Sequence, residues 1–348
     1  MGATVNILSP ITKSRNYFKT GSLKRKFSVW RSVFRQFVRR STGFVAFSRC
    51  HVGLAAAIAL AVTGASVANA QVFLGAWGTF GSGDGQFNRP NGLDIEGDEV
   101  YVSDFGNNRV QVFDRDGTFL RKWGSFGTGD GQFNGPGGVD VQGDEIYVTD
   151  LSNNRVQVFN RSGTFLRKWG TLGTADGQFN TPGRVAVQDD EVYVTDSFNR
   201  RVQVFDRNGT FLRAWGSFGT GDGQFRGPAG VALQGDEVYV ADRNNSRVQV
   251  FDRSGTFLRK WGTFGTGDGQ FNQTVGIAVQ GDEVYVTDFA NNRVQVFDRS
   301  GTFLRKWGTL GTGDGQLNQT NGVVAQGDDV YVIDRNNNRV EVFARGAP

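Results

Sequence analysis

The chain has 348 residues, and its 38 basic and 34 acidic side chains are distributed unevenly along it. Residues 1–70 contain 11 Lys and Arg and no Asp or Glu, so residues 71–348 have a net charge of −7. Cys50 and His51, the only cysteine and the only histidine, both lie in the first part. The second part therefore excludes a disulfide framework and a Cys/His metal site, and we expect no cofactor.

Residues 1–70 have the pattern of a targeting segment. A basic stretch over residues 13–49 precedes an apolar run over residues 52–62, and the small residues Ala68 and Ala70 follow. This order is typical of a signal peptide, and we expect cleavage after Ala70. The apolar run is shorter than the roughly 20 residues of a membrane span. The sequence thus predicts export to the periplasm or medium, with no stable membrane span after cleavage.

The basic stretch is long for a secretory leader and leaves a second interpretation open. Phe27, Trp30, Phe34 and Phe37 follow each other at helical spacing, with arginines along another face. Organelle transit peptides are rich in Arg and Ser and poor in acidic residues. The alternative is therefore a bipartite targeting segment that delivers the protein to an organelle lumen.

From residue 71 onward the sequence repeats every 46 residues without insertion or deletion. The tryptophans that show this period are Trp77, Trp123, Trp169, Trp215, Trp261 and Trp307. A period of this length indicates a solenoid, a propeller or an array. The unit at residues 138–170 contains four short apolar runs, at residues 138–142, 145–149, 155–159 and 164–169, separated by turn residues. Four strands per unit predict a blade of an all-β propeller.

The ends of the repeat region predict a closed ring. Residues 73–77 correspond to the fourth strand of a unit, and residues 339–343 correspond to the third. Pairing these two strands completes the sixth blade and leaves no open edge. We therefore predict a six-bladed β-propeller over residues 71–348, with four antiparallel strands per blade and the last blade closed by the N-terminal strand.

Other recurring residues are expected to build the scaffold. One Trp and one Tyr per unit are predicted to fill the space between neighbouring blades. An Asp at the end of each second strand and an Arg five residues later are predicted to form a repeated ion pair. These aspartates are Asp104, Asp150, Asp196, Asp242, Asp288 and Asp334.

The unit G-x-G-D-G-Q-F-N-x-P-x-G-V, followed by V-Y-V-x-D and N-x-R-V-Q-V-F-D-R, resembles the NHL repeat across residues 73–343. The resemblance implies a six-bladed β-propeller. Members of that family include modules that bind proteins or RNA, and a zinc-dependent lyase with histidine ligands. The usual N-H-R triplet lacks its histidine in every unit here, as in Asn107-Asn108-Arg109. Since the domain is net negative, we expect no nucleic-acid partner.

Differences between units are concentrated on the face that carries the loops between second and third strands. A ring of identical units can bind an asymmetric partner only where its copies differ, and exposed Phe and Arg commonly anchor interfaces. The interpretation that competes with binding is drift at exposed loop tips. The candidate ligand-binding residues are Phe105, Arg184, Phe198, Arg243, Phe289 and Arg335.

Asp94 and Asp140 are the weak candidates for a metal site. Both are predicted on the first strand, which lines the channel, where other units have Ala or Val. Two carboxylates could bind a cation or act as an acid and a base, although Ca²⁺ takes six to eight oxygen ligands.

The function that we favour is an exported, monomeric, non-enzymatic module that binds a protein or another envelope or extracellular ligand on its loop face. The alternatives are a hydrolase-type or lyase-type enzyme that uses the channel carboxylates or a calcium ion, and a purely structural repeat module.

Overall fold

The computed structural model describes residues 71–346, so the targeting segment predicted for residues 1–70 lies outside the described residues. Four antiparallel strands form each of six sheets, which we number as blades 1 to 6 in chain order. This confirms the predicted all-β propeller with four strands per blade. No helix among residues 71–346 is long and apolar enough to cross a membrane.

The strands of each blade are named here from the channel outward as inner, second, third and outer. The inner strands are Pro90–Glu96, Pro136–Gln142, Pro182–Gln188, Pro228–Gln234, Thr274–Gln280 and Thr320–Gln326. The second strands are Glu99–Asp104, Glu145–Asp150, Glu191–Asp196, Glu237–Asp242, Glu283–Asp288 and Asp329–Asp334. The third strands are Arg109–Asp114, Arg155–Asn160, Arg201–Asp206, Arg247–Asp252, Arg293–Asp298 and Arg339–Ala344. The outer strands of blades 1 to 5 are Phe119–Trp123, Phe165–Trp169, Phe211–Trp215, Phe257–Trp261 and Phe303–Trp307.

The sixth blade takes its outer strand from the beginning of the repeat region. Phe73–Trp77 pairs antiparallel with Arg339–Ala344, with Trp77 opposite Val340. The inner strands of blades 6 and 1 also contact each other, so the ring is closed. Closure by the N-terminal strand is therefore confirmed. It leaves the sheets with only short edges at the rim of the ring.

Three smaller features complete the element list. Short 3-10 helices follow the second strands of blades 1 and 4, at Phe105–Asn107 and Arg243–Asn245. Thr263–Phe264 and Gln270–Phe271 form a short parallel pair in the loop that leads into blade 5. The inner strand of blade 2 begins at Pro136, two residues earlier than predicted, because an irregular register between Pro136 and Val139 keeps the proline paired with Asp150. A proline at the first residue of a strand leaves most of the ladder intact.

Aromatic side chains fill the space between blades, as predicted from the repeat. The ring of Trp169 lies 6.4 Å from that of Tyr147 in its own blade and 5.7 Å from that of Phe205 in the next. Tyr147 is fully buried in a cluster that joins residues of blades 2 and 3. Equivalent clusters lie at the other blade boundaries. Each aromatic pair contributes about 0.5–1.5 kcal/mol beyond the area it buries.

The predicted ion pair between the second and third strands is present in all six blades. In blade 2 the Nε of Arg155 donates to Oδ2 of the fully buried Asp150 at 2.8 Å. Asp150 also accepts hydrogen bonds from the backbone N–H of Asn134 and the side chain of Asn153, both at 2.8 Å. Arg155 donates further to the carbonyl oxygens of residues 128, 129 and 132. The pair therefore holds both loops on one side of the ring, which we call the loop face.

We call the opposite side, with its hairpin turns, the turn face. The turn from inner to second strand and the turn from third to outer strand both lie there.

Blade 6 departs from this network at one buried position. In blade 2, Gln157 donates to the carbonyl of Gln132 at 2.7 Å and accepts from the N–H of Gly131 at 3.0 Å. Glu341 takes the place of this glutamine in blade 6 and is fully buried. An ionised carboxylate cannot donate as the amide does. Burial raises the pKa of Glu341 to about 8, against the lowering effect of the Arg339 charge.

Asp150→Asn is expected to lower the free energy of unfolding by about 3–5 kcal/mol, because Arg155 would remain buried without a counter-charge. The matched control is Asp130→Asn, which removes an exposed carboxylate paired with Lys168. Exposed pairs of this kind contribute about 0–1 kcal/mol. Urea unfolding of the two variants measures the difference, and equal losses would contradict the structural role of the buried pair.

Glu341→Gln is expected to raise the free energy of unfolding at pH 8 by about 1–3 kcal/mol, since the amide restores the donor that the other blades have. Because the folded-state pKa of Glu341 is raised to about 8, its ionisation penalty is absent below about pH 4.5 and grows as the pH rises to 8. The stability of the variant should therefore fall less steeply over this range. Urea midpoints measured from pH 4.5 to pH 8.5 check this.

Glu283→Gln provides a control with the opposite sign. Burial would raise the pKa of Glu283, but hydrogen bonds from Arg305, Tyr285 and Arg345 lower it to about 2. The ionised form of Glu283 therefore stabilises the fold above about pH 4.5, and its loss should destabilise the protein at neutral pH. If both Glu→Gln changes shift stability in the same direction at pH 8, the account of Glu341 is wrong.

Candidate functional site

The loop face places the sequence-predicted residues around one end of the channel. Five of them follow second strands: Phe105, Phe198, Arg243, Phe289 and Arg335. The sixth, Arg184, lies on the inner strand of blade 3. The buried Asp–Arg pairs anchor the loops that carry the first five.

The prediction that these side chains are exposed is correct only for Phe198, which is 60% exposed. Phe105 and Phe289 are half-buried. The reason is local contact between neighbouring blades. The ring of Phe105 lies against Gly135 of the next blade, where a Cβ would approach within 2.7 Å, and this Gly has a φ of +75°. The absence of a side chain at residue 135 is what lets the ring fold down onto the neighbouring loop.

Two arginines on this face lie over aromatic rings of the neighbouring blade. The guanidinium of Arg335 lies 5.9 Å from the centroid of Phe105, which joins blade 6 to blade 1. The guanidinium of Arg243 lies 5.3 Å from the centroid of Phe289, which joins blade 4 to blade 5. Arg243 also donates to Oε1 of Gln273 at 2.6 and 3.0 Å. The structure thus brings four of the predicted residues together as two cation–π pairs.

Arg184 lies across the channel. Its Nη2 donates to the carbonyl of Asn91 in blade 1 and to Oδ1 of Asn321 in blade 6, both at 2.8 Å. The side chain fits because the facing position on blade 1 is Gly92, where a Cβ would lie 2.3 Å from Nη1 of Arg184. Burial, and then the charge of Arg335, lowers the pKa of Arg184 to about 10. With these contacts Arg184 spans the mouth of the channel.

Some arginines on the loop face differ from the other arginines of the propeller because they have no carboxylate partner in the described part of the chain. Six have no carboxylate oxygen within 4.0 Å among residues 71–346, and residues 1–70 contain no Asp or Glu that could supply one. These six are Arg89, Arg184, Arg200, Arg226, Arg243 and Arg335. Every other arginine in residues 71–346 is paired with an Asp or Glu.

Sequence reasoning missed three of these six arginines. Arg200 lies 5.3 Å from the ring of Phe198, and Arg226 lies 5.8 Å from the ring of Phe218. Arg89 belongs to the loop that enters blade 1, and its backbone N–H donates to Oδ1 of Asn338 at 2.8 Å. All three occupy positions where other units have Asn, Ser, Thr, Gln or Gly. Comparison of those positions along the repeat would have revealed them.

Arg335 has the least satisfied side chain of the group. Its Nε is buried and has no hydrogen-bond acceptor in the described part of the chain. Burial lowers the pKa of Arg335, and the charges of Arg89 and Arg243 lower it further. A buried donor without an acceptor is costly, so this guanidinium is poised to bind an anion.

Behind Arg184 the channel contains a cavity of about 210 Å³. Asp94 and Asp140 line one side of it, as predicted, and accept backbone hydrogen bonds from Val141 at 2.7 Å and Val187 at 3.1 Å. Burial raises the pKa of Asp94 to about 7. Burial, followed by the charge of Asp94, raises the pKa of Asp140 well above its usual range. Asp94 can therefore hold a proton near neutral pH.

The remaining walls of the cavity are mostly small and apolar. At the level of the two aspartates they consist of Ala186, Ala232, Ala278 and Val324. Residues 71–346 contain no group of three or more His, Cys, Asp or Glu side chains that could hold a metal ion. The two aspartates remain a weak metal candidate, since calcium takes six to eight oxygens.

These features define the class of protein as a six-bladed β-propeller with an asymmetric loop face. The family model for the NHL repeat matches residues 87–113, 133–159, 179–205, 225–251 and 271–297. The chain is therefore an NHL-repeat β-propeller, as its sequence pattern indicates. The sixth unit, residues 317–343, lies outside the matched residues and departs from the others at Leu317, Asp329 and Glu341.

Solved structures with the same fold share little sequence with this chain. A structural genomics protein of unknown function from Bacteroides thetaiotaomicron has 17% identity and a TM-score of 0.63, covering 79% of this chain and 76% of its own. Catalytically inactive virginiamycin B lyase from Staphylococcus aureus with quinupristin has 15% identity and a TM-score of 0.53, with coverages of 79% and 88%.

An auxiliary nutrient binding protein from Bacteroides thetaiotaomicron has 13% identity and a TM-score of 0.57, with coverages of 74% and 69%. Identities this low show a common fold and leave the function open. No curated protein matches this chain by sequence.

Proposed function

We propose that this propeller is an exported, monomeric, non-enzymatic binding module whose loop face binds a protein or another envelope or extracellular ligand. Export rests on the pattern of residues 1–70, which also leaves delivery to an organelle lumen as the alternative. The proposed site consists of the predicted residues together with Arg89, Arg200 and Arg226. The other solved structures contribute only their fold to this proposal.

The observation that carries the proposal is that six arginines of the loop face lack, within residues 71–346, the carboxylate partners that the arginines of the turn face have. Arginines of the turn face, such as Arg207 and Arg253, have carboxylate partners. Beside the buried Asp–Arg pairs, the loop face carries six arginines with no carboxylate oxygen of residues 71–346 within 4.0 Å. Five of these six contact aromatic rings, amide oxygens or backbone carbonyls instead. Arg and aromatic residues are enriched in binding interfaces. A face of this composition is therefore suited to a partner that supplies the missing acceptors.

The arrangement favours a protein or a compact ligand over nucleic acid. Nucleic-acid binders follow the phosphate backbone with a positive groove or stripe. Here Arg184, Arg243 and Arg335 are half-buried around a single channel mouth. The domain as a whole has a net charge of −7, which opposes a long polyanion.

Replacing Phe198 with Ala and Arg243 with Gln is expected to abolish partner capture while leaving the fold intact. Phe198 is largely exposed, and Arg243 contributes an uncompensated charge, so neither change opens the core. The measurement is affinity capture from envelope and culture-fluid extracts with the full chain as bait. The matched control combines Leu166→Ala on an outer strand with Arg207→Gln on the turn face.

All three baits contain residues 1–70, so capture by that basic segment is common to them. A partner retained by the parent and by the control, and lost by the loop-face variant, would support the proposal. An identical set of captured proteins for all three folded baits would refute it.

The channel carboxyls favour a second candidate, an enzyme of the hydrolase or lyase type. Asp94 has a pKa of about 7 and lines a cavity large enough for part of a substrate, so it is suited to general acid catalysis. Asp94→Asn combined with Asp140→Asn is expected to leave partner capture on the loop face unchanged. If the extracts yield a substrate that the parent converts, and this double variant loses at least 100-fold in rate while the loop-face variant does not, the enzyme is favoured over the binding module.

A further inference from the structure

We propose that Arg89, Arg184, Arg243 and Arg335, which we call the arginine mouth, bind a single oxyanion, a carboxylate or a phosphate group of the ligand. This inference rests on the proposed function and specifies the chemistry of its site. It assigns a class of ligand to residues that differ from their equivalents in the other repeat units.

The charges at the mouth are positive and lack counter-charges within residues 71–346. Arg335 interacts electrostatically with Arg89, Arg184 and Arg243, and each interaction is between like charges. No carboxylate of residues 71–346 lies within 4.0 Å of any of the four. Like charges held together in a partly desolvated place oppose folding, and an anion bound between them reverses the sign of that contribution.

Two guanidinium groups of the mouth lie over aromatic rings. The guanidinium carbons of Arg335 and Arg243 lie over the rings of Phe105 and Phe289, at 5.9 and 5.3 Å from the ring centroids. The N–H donors lie in the plane of the group. Nε and Nη2 of Arg243 already donate to Gln273, whereas the buried Nε of Arg335 has no acceptor in the described part of the chain. Planar forks of this kind match the two oxygens of a carboxylate or phosphate. The side chain of Arg335 donates no hydrogen bond within the described residues, which leaves its guanidinium donors for the ligand.

The floor of the site is formed by Arg184, whose Nη2 donates two hydrogen bonds. Arg184 is fixed across the channel by Asn91 and Asn321, at 2.8 Å each. Its charge therefore lies across the channel mouth, against the inner strands of blades 1 and 6. An anion held above it meets a fixed positive charge below and the donors of Arg335 at the side. Such an arrangement lowers the entropic cost of binding.

The position of the four residues favours one compact anionic group over an extended chain of charges. They come from blades 1, 3, 4 and 6, and the charge of Arg335 acts on or is acted on by each of the other three. Arg200 and Arg226 lie instead beside the rings of Phe198 and Phe218. The group recognised here is thus an oxyanion that enters the mouth end-on. A small solute and an acidic side chain or terminus of a protein would both present it.

Isothermal titration calorimetry of the full chain with inorganic phosphate, citrate and hexaglutamate tests the inference. We expect saturable binding of at least one probe, weakened at least tenfold by Arg335→Gln and by Arg243→Gln. The matched control, Arg161→Gln with Arg207→Gln on the turn face, should change the affinity less than twofold. Tight binding of phosphate or citrate would assign a small solute, and binding of hexaglutamate alone would assign an acidic segment of a protein.

A second readout guards against loss of fold. Without added anion, Arg335→Gln should leave the melting temperature unchanged or raise it, since it removes a half-buried charge that lacks a partner. The bound probe should raise the melting temperature of the parent and of the turn-face control, and that increase should be lost in Arg335→Gln.

The inference is overturned if no probe binds, or if the parent and Arg335→Gln bind every probe equally, which would assign the binding to basic groups elsewhere such as residues 1–70. Either result would leave the loop-face capture experiment standing, so failure of the anion site and failure of the binding module are distinguishable.

Discussion

The loop face depends on one buried interaction, the pair between the Asp that ends each second strand and the Arg that begins each third strand. In blade 4, Arg247 donates to Asp242 at 3.0 Å and to three loop carbonyls at 2.7–2.8 Å. Asp242 in turn accepts the backbone N–H of Arg226 at 3.0 Å. Because the charges are compensated and the hydrogen bonds are satisfied, the pair can remain in the interior. Both loops of the face are therefore fixed relative to the sheet.

A rigid loop frame changes what a single substitution can do. Where the loop backbone is fixed, a substituted side chain extends in a defined direction. The position of its neighbour across the blade boundary is fixed in the same way. Phe289 and Arg243 occupy equivalent positions of neighbouring units, 46 residues apart in the chain, and contact each other in this way. The asymmetric arginines of the loop face are thus consequences of a symmetric scaffold. Catalytic and binding residues are commonly carried by loops on such scaffolds.

Much of the architecture could be predicted because the period and the strand pattern are local properties of the sequence. The pairing of Phe73–Trp77 with the third strand of blade 6 follows from counting strands, and the Asp–Arg pair follows from its exact repetition. The start of the inner strand at Pro136 could not be predicted, because it depends on an irregular register and on a hydrogen-bonded partner strand.

The candidate site could be predicted only in outline. Variation between units identified Phe105, Arg243 and Arg335, but exposure was wrong for Phe105 because its burial depends on Gly135 in the adjacent blade. Likewise, no local pattern shows that Arg184 reaches Asn321, since the contact crosses the ring. An alignment of the repeats does not predict side-chain contacts between distant units.

The central claim is that the arginines at the channel mouth lack counter-charges and are arranged to bind an oxyanion. Anomalous scattering from selenate in crystals of the protein tests this claim most directly, because it locates the anion. The account predicts the strongest selenate peak within hydrogen-bond distance of Arg335 and Arg243, above Arg184. Selenate found only at turn-face arginines such as Arg207, with none at the channel mouth, would contradict it.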